Sequence, residues 1–521
     1  MVTTPLVLTD FLDRAVRLYG NKQAIINEKG RKYTYKEVND RVNQLSHGLA
    51  SIGVKKEDRI AYLAPNTMEM YEGFFGVFQL GAIMVSLNTR LNAEDYLYIL
   101  NHSESKILFA DVELLPLIEP VFDKLETVEK IIVHGLQEHT DKLIAYDAWL
   151  ASQSMEPFPR EELDENDVCT LLYTSGTTGK PKGVMLTHRN NYLHALSSMH
   201  HLRISDRDTL LHVLPMFHVN GWGSPFYYTA NGATQIFQKK VDAEQILEKV
   251  KKYGVTVMHM APTVLGRIMD KYDEIKPGIK QNVRVVIAGS APPPAFVKRL
   301  EEEIGWEFIQ MYGMTESSPL TLGSYISSEE SDLSPEAYYK SKAKTGYELI
   351  GTKVRVVNEF GEEVAWDGKE IGEIVVRGNG VMKGYWKDEE ETNKTIIDGW
   401  LYTGDMGTID KHGKISVVDR KKDIIITGGE NVSSIEVESV LYDHPAVKEA
   451  AVIAKPDDTW GEAVHAVIVL RDGYAVTEQE LIDFTREKLA HMKCPKGITF
   501  VDELPKTVSG KIRKVQLRQM V

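Results

Sequence analysis

Cysteine is scarce in this chain, which has only Cys169 and Cys494 among its 521 residues. The two lie far apart in sequence, so a disulfide framework is excluded and a reducing cytoplasm is the expected compartment. Neither cysteine lies in a context typical of a catalytic nucleophile. If the protein catalyses a reaction that uses a thiol, we therefore expect the thiol to belong to a substrate.

Long hydrophobic runs are absent as well. No stretch approaches the roughly 18 apolar residues that a membrane-spanning helix needs. The first residues, Met-Val-Thr-Thr-Pro, lack the basic segment and apolar core of a signal peptide, and the ending Gln-Met-Val is not a Ser-Lys-Leu peroxisomal address. We expect a soluble protein with no transmembrane segment and no lipid anchor.

The chain also lacks an excess of positive charge. Its formal net charge of -14 argues against the broad basic face of a nucleic-acid-binding protein. A phosphate site would have to be a local cluster of basic residues. At 521 residues, of which 43% are hydrophobic, the chain exceeds the size at which a single core stops growing, so at least two domains are expected.

Short apolar runs predict an α/β fold of layered sheets and helices. Runs typical of strands buried on both faces of a parallel sheet lie at 60–63, 107–110, 255–260 and 285–288. A helix is predicted between the first strands, opened by the capping box Thr34-x-x-Glu37. Its apolar face is formed by Val38, Val42, Leu45 and Leu49.

A second, smaller domain is predicted to follow the segment Asp419-Arg-Lys-Lys-Asp423. We assign residues 1–420 to the large domain and 421–521 to the small one. Strands are expected at 423–427, 450–454 and 465–470, with helices at 433–443 and 477–489. No Gly/Ser linker separates the domains, so the joint should be a hinge of few residues. The polar stretch 327–345 is expected to be a surface excursion.

The most informative segment, 173–184, reads Tyr-Thr-Ser-Gly-Thr-Thr-Gly-Lys-Pro-Lys-Gly-Val. Its glycines allow a tight turn that points backbone N–H groups at one anion, and its hydroxyls and lysines add donors and charge. It is not a Walker loop, because Pro181 stands where the second glycine should be. A polyphosphate is the predicted ligand of Thr174, Ser175, Gly176, Thr177, Thr178, Gly179 and Lys180.

Further motifs follow in a fixed order. They are Leu214-Pro-Met-Phe-His218, Gly289-Ser-Ala-Pro292, Tyr312-Gly-Met-Thr-Glu316, Tyr402-Thr-Gly-Asp405, Asp419-Arg-Lys-Lys-Asp423 and Pro505-Lys-Thr-Val-Ser-Gly-Lys511. With the Gly/Thr loop, the series resembles the adenylate-forming superfamily of acyl-CoA synthetases, luciferases and peptide-synthetase adenylation domains. The resemblance covers nearly the whole chain. It implies a large N-terminal domain, a smaller mobile C-terminal α/β domain, and activation of a carboxylic acid by ATP.

The resemblance also implies a nucleotide site. The Gly/Thr loop would grip the β- and γ-phosphates, Thr315 would donate to the α-phosphate, and Glu316 would hold Mg²⁺, a hard cation that prefers oxygen ligands. Asp405 can accept both ribose hydroxyls, and Arg420 can reach the same sugar. Tyr312 would stack on adenine, in a pocket completed by Gly289, Ser290, Ala291, Gly313 and Met314.

Three more segments have implied roles. Lys511 would be a catalytic residue that brings its ammonium to the carboxylate and the α-phosphate. Lys422 corresponds to the pivot of the small domain, which would then present Gly428, Gly429 and Glu430 to the pantetheine arm of coenzyme A. The expected ligands are ATP, Mg²⁺, coenzyme A as co-substrate and a small carboxylic acid. A homodimer is left open.

The acid is expected to lie along His218, Val219, Asn220, Gly221 and Trp222, facing Gly313, with His218 also taking part in catalysis. The form Pro-Met-Phe-His-Val-Asn-Gly-Trp resembles medium- and long-chain fatty acyl-CoA synthetases more than acetate-activating ones.

Several alternatives stay open. His218 and Trp222 also fit as buried core residues. The acid could be an aryl or a sulfur-containing short acid. A luciferase-like oxygenase, an amino-acid adenylation enzyme and a non-catalytic acyl-nucleotide sensor remain as other functions, although intact Glu316 and Lys511 speak against the sensor.

Overall fold

The computed structural model describes residues 4–174, 180–276, 278–289, 292–330, 332–427, 430–457, 460–506 and 512–521. Strands and helices alternate along this part of the chain, as the apolar runs predict. The strands, in chain order, are β1 (Gln23–Ile26), β2 (Lys32–Thr34), β3 (Arg59–Leu63), β4 (Ile83–Ser86), β5 (Ser105–Asp111), β6 (Lys130–His134), β7 (Leu143–Ala145), β8 (Val168–Thr174), β9 (Lys182–Thr187), β10 (Thr209–His212), β11 (Thr234–Phe237), β12 (Val257–Met260), β13 (Arg284–Ile287), β14 (Glu307–Gly313), β15 (Leu320–Gly323), β16 (Tyr347–Glu348), β17 (Thr352–Val357), β18 (Gly372–Gly378), β19 (Gly384–Tyr385), β20 (Ile396–Ile397), β21 (Trp400–Ile409), β22 (Ile415–Arg420), β23 (Ile425–Thr427), β24 (Glu430–Val432), β25 (Val447–Asp457), β26 (Gly461–Leu470) and β27 (Gly497–Phe500).

The helices lie mostly between parallel strands. They are α1 (Thr9–Tyr19), α2 (Tyr35–Ser51), α3 (Met68–Gln79), α4 (Ala93–Ser103), α5 (Tyr146–Ala151), α6 (His188–His201), α7 (Val219–Trp222), α8 (Ser224–Ala230), α9 (Ala243–Tyr253), α10 (Pro262–Ile275), α11 (Pro294–Lys298), α12 (Pro335–Lys342), α13 (Glu389–Thr395), α14 (Ser434–Tyr442), α15 (Glu478–Arg486) and α16 (Lys514–Met520). A π-helical turn at Arg299–Ile304 extends α11. Short 3₁₀ turns lie at Leu115–Leu117, Glu119–Lys124, Thr315–Ser317, Ser328–Glu330 and His491–Lys493.

Two large sheets form the N-terminal part. One has nine strands in the order β16-β15-β14-β13-β12-β10-β11-β1-β2, and the other has eight in the order β19-β9-β8-β4-β3-β5-β6-β7. The central strands of both sheets are parallel, while β2, β9, β15, β16 and β19 pair antiparallel. Since ligands bind beyond the carboxyl ends of parallel strands, these ends are where the site is to be sought.

Two smaller sheets complete the chain. Strands β17, β18, β20, β21 and β22 form an antiparallel sheet, and β23 to β27 form the sheet of the C-terminal domain. The helix α14 and the last helix, α16, both pack on β25, burying Val437, Leu441 and Leu517 completely. The α/β class with a large N-terminal and a smaller C-terminal domain is therefore confirmed, whereas the division at residue 420 stays a prediction.

Local sequence signals account for many of these elements. The Thr34 hydroxyl accepts from the backbone N–H of Glu37 at 3.2 Å, and the Glu37 carboxylate accepts from the backbone N–H of Thr34 at 2.7 Å, so the predicted capping box opens α2. The four apolar residues predicted to share its inner face are all fully buried.

The stretch 327–345 is only partly the predicted surface excursion. Residues 332–336 are exposed, but Lys342 is buried on α12 and pairs with Glu301. Glu330 accepts from the buried Lys414 at 3.1 Å. Because these charges have opposite partners that are distant in sequence, composition alone could not identify them as buried.

Candidate active site

The two ends of the Gly/Thr loop, Thr174 and Lys180 to Lys182, adjoin the antiparallel strands β8 and β9. Thr174 and Lys182 are cross-strand partners in this antiparallel pair. Lys182 forms an ion pair with Glu391, and the Lys180 ammonium lies 5.3 Å from the centre of the Tyr98 ring. Lys182 is the first residue of β9 and Lys180 lies two residues before it, so both lysines are at the start of this strand.

Glu316 provides a buried carboxylate just beyond the end of β14. It is 7% exposed, and its Oε1 accepts a hydrogen bond from the Tyr385 hydroxyl at 3.0 Å. Burial raises the pKa of Glu316, while the hydrogen bond from Tyr385 and the positive charges of Arg420 and Lys182 act in the opposite direction. The Lys182 ammonium lies 5.3 Å from the Tyr385 ring centre. Carboxylate, phenol and lysine therefore form one polar group.

The turn before Glu316 requires a glycine at position 313. A Cβ atom there would lie 1.6 Å from the carbonyl oxygen of Pro319, so no side chain fits. The next residue, Met314, donates its N–H to the same carbonyl at 3.0 Å. Thr315 then begins a short 3₁₀ turn and is 8% exposed. This close approach of two backbones fixes the direction in which residues 312–316 leave the sheet.

Asp405, Arg420 and Tyr312 form a second polar group. Asp405 and Arg420 are cross-strand partners of β21 and β22, and the Arg420 Nε lies 3.1 Å from Asp405 Oδ1. The Tyr312 hydroxyl donates to Asp405 Oδ2 at 2.8 Å. Burial raises the pKa of Tyr312, which keeps its proton available for this bond. Tyr312 and Arg420, from two other sequence motifs, thus both contact the carboxylate of Asp405.

Gly289 lies at the carboxyl edge of the nine-stranded sheet, which also contains β14. It has a φ of +105°, in the region that favours glycine, and it follows β13, which runs parallel to and beside β14. Gly289 and Tyr312 therefore come from neighbouring strand ends, as an adenine pocket between them would require.

The short element α7, which contains four of the residues predicted for the acid, is a left-handed turn and not a right-handed α-helix. Five successive residues, Val219 to Gly223, have positive φ values between 46° and 74°. The first is β-branched, a type rarely found in this conformation, so the turn stores backbone strain. His218, at its start, is half-buried. Upstream, Asn66 donates to the carbonyls of His212 and Leu214 at 2.9 and 3.0 Å, which positions the chain that enters the turn.

The side chains of the turn point in different directions. The Asn220 amide lies 3.2 Å from the Thr170 hydroxyl and 3.3 Å from Asn191 Oδ1, so it faces β8. Trp222 is 5% exposed and stacks on His259, with ring centres 6.0 Å apart and planes at 26°. The Tyr228 hydroxyl contacts His259 Nε2 at 3.1 Å. Burial lowers the pKa of His259 to about 3, so this imidazole is neutral at physiological pH.

The joint between the domains is anchored by Asp419. Its backbone belongs to β22, paired with Met406, while its Oδ2 accepts from the backbone N–H of Ser434 at 2.7 Å and from the Ser434 hydroxyl at 2.5 Å, at the start of α14. Lys421 pairs with Glu373 at 2.9 Å. Lys422 is exposed and lies in the turn that follows. Asp419 therefore links the two sides of the predicted pivot.

Part of the predicted site lies outside the described residues, and its roles stay predictions. These residues are Ser175, Gly176, Thr177, Thr178, Gly179, Ser290, Ala291, Gly428, Gly429, Lys511 and the side chain of Glu430.

The sequence reasoning missed Tyr385, Asn66 and His259. Tyr385 is part of β19, whose pairing with β9 brings it beside Glu316. Asn66 and His259 contact the acid segment from elsewhere in the chain: Asn66 binds the backbone before His218, and His259 stacks on Trp222. The available signals were a polar residue three positions after the apolar run of β3, which is Asn66, and a polar residue within the apolar run of β12, which is His259.

Helices long and apolar enough to cross a membrane are absent from the described ranges.

Comparison with known proteins defines the class. A family model described as AMP-binding enzyme matches residues 12–386, and its companion, AMP-binding enzyme C-terminal domain, matches residues 436–511. The chain therefore belongs to the AMP-binding, or adenylate-forming, enzyme family. Its relatives include proteins named as CoA ligases, and its structural neighbours include a CoA ligase and a protein with bound ATP. The protein is an acyl-CoA synthetase of the AMP-forming type that uses ATP and coenzyme A.

Two relatives are each 38% identical over 99% of this chain. One is the "Probable acyl-activating enzyme 5, peroxisomal" of Arabidopsis thaliana, 96% of which is covered. The other is the "4-hydroxybutyrate--CoA ligase 2" of Metallosphaera sedula, 94% of which is covered. Among solved structures, the anthranilate CoA ligase AuaEII in complex with anthranoyl-AMP has a TM-score of 0.91 at 29% identity, covering 99% of this chain and 98% of that one.

Proposed function

We propose that this ligase activates an aliphatic acid of the fatty type, of short to medium chain length. The observation that carries the proposal is Trp222, which is buried against His259 at the end of the left-handed turn. An indole in this position leaves limited room for a growing alkyl chain. The relative named for 4-hydroxybutyrate also supports a short acid.

In the first half-reaction, a carboxylate oxygen of the acid attacks the α-phosphorus of ATP, forming an acyl adenylate and releasing pyrophosphate. We assign the phosphates to the β8–β9 loop and the ribose hydroxyls to Asp405, each of whose oxygens has a lone pair left after its bond to Arg420 or Tyr312. Thr315 would donate to the α-phosphate. Such fixed donors need little reorganisation during the reaction.

Glu316 fits the role of a Mg²⁺ ligand. Its carboxylate is buried and accepts a hydrogen bond from Tyr385 at Oε1, and its two oxygens together have lone pairs to spare for a hard cation. Lys182, which follows the Gly/Thr loop, lies close to the same group, so we assign the cation a place between Glu316 and the phosphates of ATP. When bound, Mg²⁺ would neutralise phosphate charge.

In the second half-reaction, the thiol of coenzyme A attacks the acyl carbonyl and AMP leaves. We propose that residues 421–521 rotate about Lys422 between the two steps, withdrawing Lys511 and presenting Gly428, Gly429 and Glu430 to pantetheine. A cytoplasmic location and the homodimer remain predictions.

The proposed substrate is tested with a panel of carboxylic acids from C2 to C18 together with aryl acids. Coenzyme-A-dependent release of AMP is measured for each, and kcat/KM is expected to peak among short and medium aliphatic chains. A peak at C16 or C18, or among aryl acids, would overturn the assignment.

An aryl acid is the second candidate. The aromatic group of Trp222, Tyr227, Tyr228 and His259 favours a flat ring as a binding partner. The structural similarity to an anthranilate ligase also supports it. Benzoates in the same panel distinguish the two candidates.

Trp222→Ala is expected to shift the optimum of kcat/KM toward longer or bulkier acids. Each additional methylene that gains room to be buried contributes about 0.8 kcal/mol, or roughly fourfold in affinity. The KM for ATP should change by less than about threefold, because the nucleotide contacts lie on other segments. Trp149→Ala is the matched control, since Trp149 is also buried, at 8% exposure, but packs elsewhere. If Trp222→Ala lowers kcat/KM equally for every acid, as loss of a core residue in Trp149→Ala would, then Trp222 is a core residue only.

Lys422→Pro is expected to slow the thioester step by about tenfold or more while changing adenylation less, because a fixed φ restricts rotation at the pivot. Lys422→Ala, which keeps the backbone free, is the control and should resemble the wild type. Accumulation of acyl adenylate in the presence of coenzyme A is the measurement. Normal turnover by the proline variant would place the pivot elsewhere.

A further inference from the structure

A group of carboxylates and one imidazole lies away from the proposed active site, at the carboxyl edge of the eight-stranded sheet. Glu69 is in the first turn of α3, His134 ends β6, and Asp147 is in the first turn of α5. One ligand atom from each of the three lies within 4.8 Å of the other two. Three separate elements therefore bring metal-ligating side chains to one point.

The spacing of these atoms suits a small cation. His134 Nδ1 lies 3.0 Å from Glu69 Oε1 and 3.9 Å from Asp147 Oδ2. In a tetrahedral zinc site with bonds of about 2.0–2.1 Å, ligand atoms are about 3.4 Å apart. The two measured distances bracket that value.

Two of the neighbouring acids, Glu72 and Asp111, already have partners, but Glu69 has an oxygen without one. Glu72, one turn further along α3, contacts both Arg41 and the Tyr146 hydroxyl at 2.8 Å. Asp111 pairs with Lys239 at 3.1 Å. By contrast, Glu69 is 6% exposed and its Oε2 accepts no hydrogen bond. Such an orphan is costly unless something else satisfies it.

Tyr62 gives a second, independent indication. It is fully buried, and its hydroxyl has no hydrogen-bond partner. It lines a cavity of about 10 Å³ together with Glu69 and His134. That volume is about enough for one water-sized particle. The side chain of Asp147 is 61% exposed, which leaves a path from solvent to the group.

We propose that Glu69, His134 and Asp147 form a binding site for a divalent transition metal, with Zn²⁺ as the best fit. One imidazole nitrogen and two carboxylate oxygens are typical ligands for this ion, and water would take the fourth position. The site would join the start of α3 to the end of β6 and the start of α5. Its role is structural, since the proposed active-site residues lie on other elements.

The test is a titration of tag-free, EDTA-treated protein with Co²⁺, a spectroscopic substitute for Zn²⁺, without ATP or acid. We expect one Co²⁺ per chain with the visible absorption of a four-coordinate ion. Zn²⁺ should displace it, whereas the same concentration of Mg²⁺ should not. The melting temperature should rise with Zn²⁺. Absence of a stoichiometric cobalt spectrum in the wild type would overturn the proposal.

Variants identify the ligands. Glu69→Gln and His134→Gln should each weaken Co²⁺ binding by about 100-fold or more, since even residues that only support a ligand cost 10- to 100-fold. Asp147→Asn, at an exposed position, should weaken binding without affecting the fold. Asp123→Asn is the matched control, because Asp123 is 95% exposed and pairs only loosely with Lys142, at 3.6 Å.

Melting temperatures in EDTA show whether each variant is folded. Unchanged cobalt binding in Glu69→Gln and Asp147→Asn would mean that Glu69 and His134 form only a buried pair. Because no ATP, acid or coenzyme A is present, the outcome is independent of the proposed substrate.

Discussion

Lys511→Ala is expected to slow acyl-adenylate formation by on the order of 10² to 10³ while sparing thioester formation from supplied acyl adenylate. The proposed role of the lysine is to meet negative charge only in the first step, and loss of one such fixed donor has an effect of this size. The two half-reactions are measured separately, by pyrophosphate exchange and by coenzyme-A-dependent AMP release.

The control is Lys448→Ala, because Lys448 is an exposed lysine of the same C-terminal domain. It should leave both half-reactions unchanged. Equal losses in the two half-reactions of Lys511→Ala would contradict a role confined to adenylation.

Glu316→Gln is expected to reduce the adenylation rate by about 100-fold or more and to raise the Mg²⁺ concentration needed for half-maximal rate. The amide preserves the size of the side chain and can still accept from Tyr385, but it lacks the charge that a hard cation prefers. The measurement is pyrophosphate exchange as a function of Mg²⁺ at fixed ATP.

Tyr385→Phe distinguishes the effect of the Glu316 charge from the effect of the hydrogen bond that positions Glu316. It removes the 3.0 Å hydrogen bond to Glu316 but keeps the carboxylate, so a loss of only about tenfold is expected, at the low end for one hydrogen bond to a charged group. If both variants lose the same activity with the same Mg²⁺ dependence, Glu316 acts through the local structure and not as a metal ligand.

Much of the fold could be predicted because its signals are local. The run at 60–63 lies within β3, and the run at 107–110 lies within β5. The ends of other strands and helices differ from the prediction by two or three residues: the strand predicted from 255 begins at 257, and the helix predicted to reach 489 ends at 486. Apolar periodicity identifies an element but not where its hydrogen bonds stop.

Part of the candidate site could be predicted across motifs. The resemblance assigns Asp405 and Arg420 to the same sugar although they lie in separate motifs, and the register of two antiparallel strands makes them partners. Tyr385 lies in no motif that we recognised, because its role depends on an edge strand meeting β9. The left-handed turn at 219–223 was also unforeseen, since Val219 and Trp222 ordinarily avoid positive φ and only tertiary packing can hold them there.

Asp419 has a consequence for the timing of the reaction. Its backbone belongs to one domain, and its carboxylate caps a helix of the other through the 2.7 Å bond from the Ser434 N–H. If the small domain rotates about Lys422, this cap must either break or turn with the helix, so the change of arrangement carries an activation barrier. Each arrangement then has a finite lifetime. That lifetime sets the interval within which coenzyme A must reach the acyl adenylate.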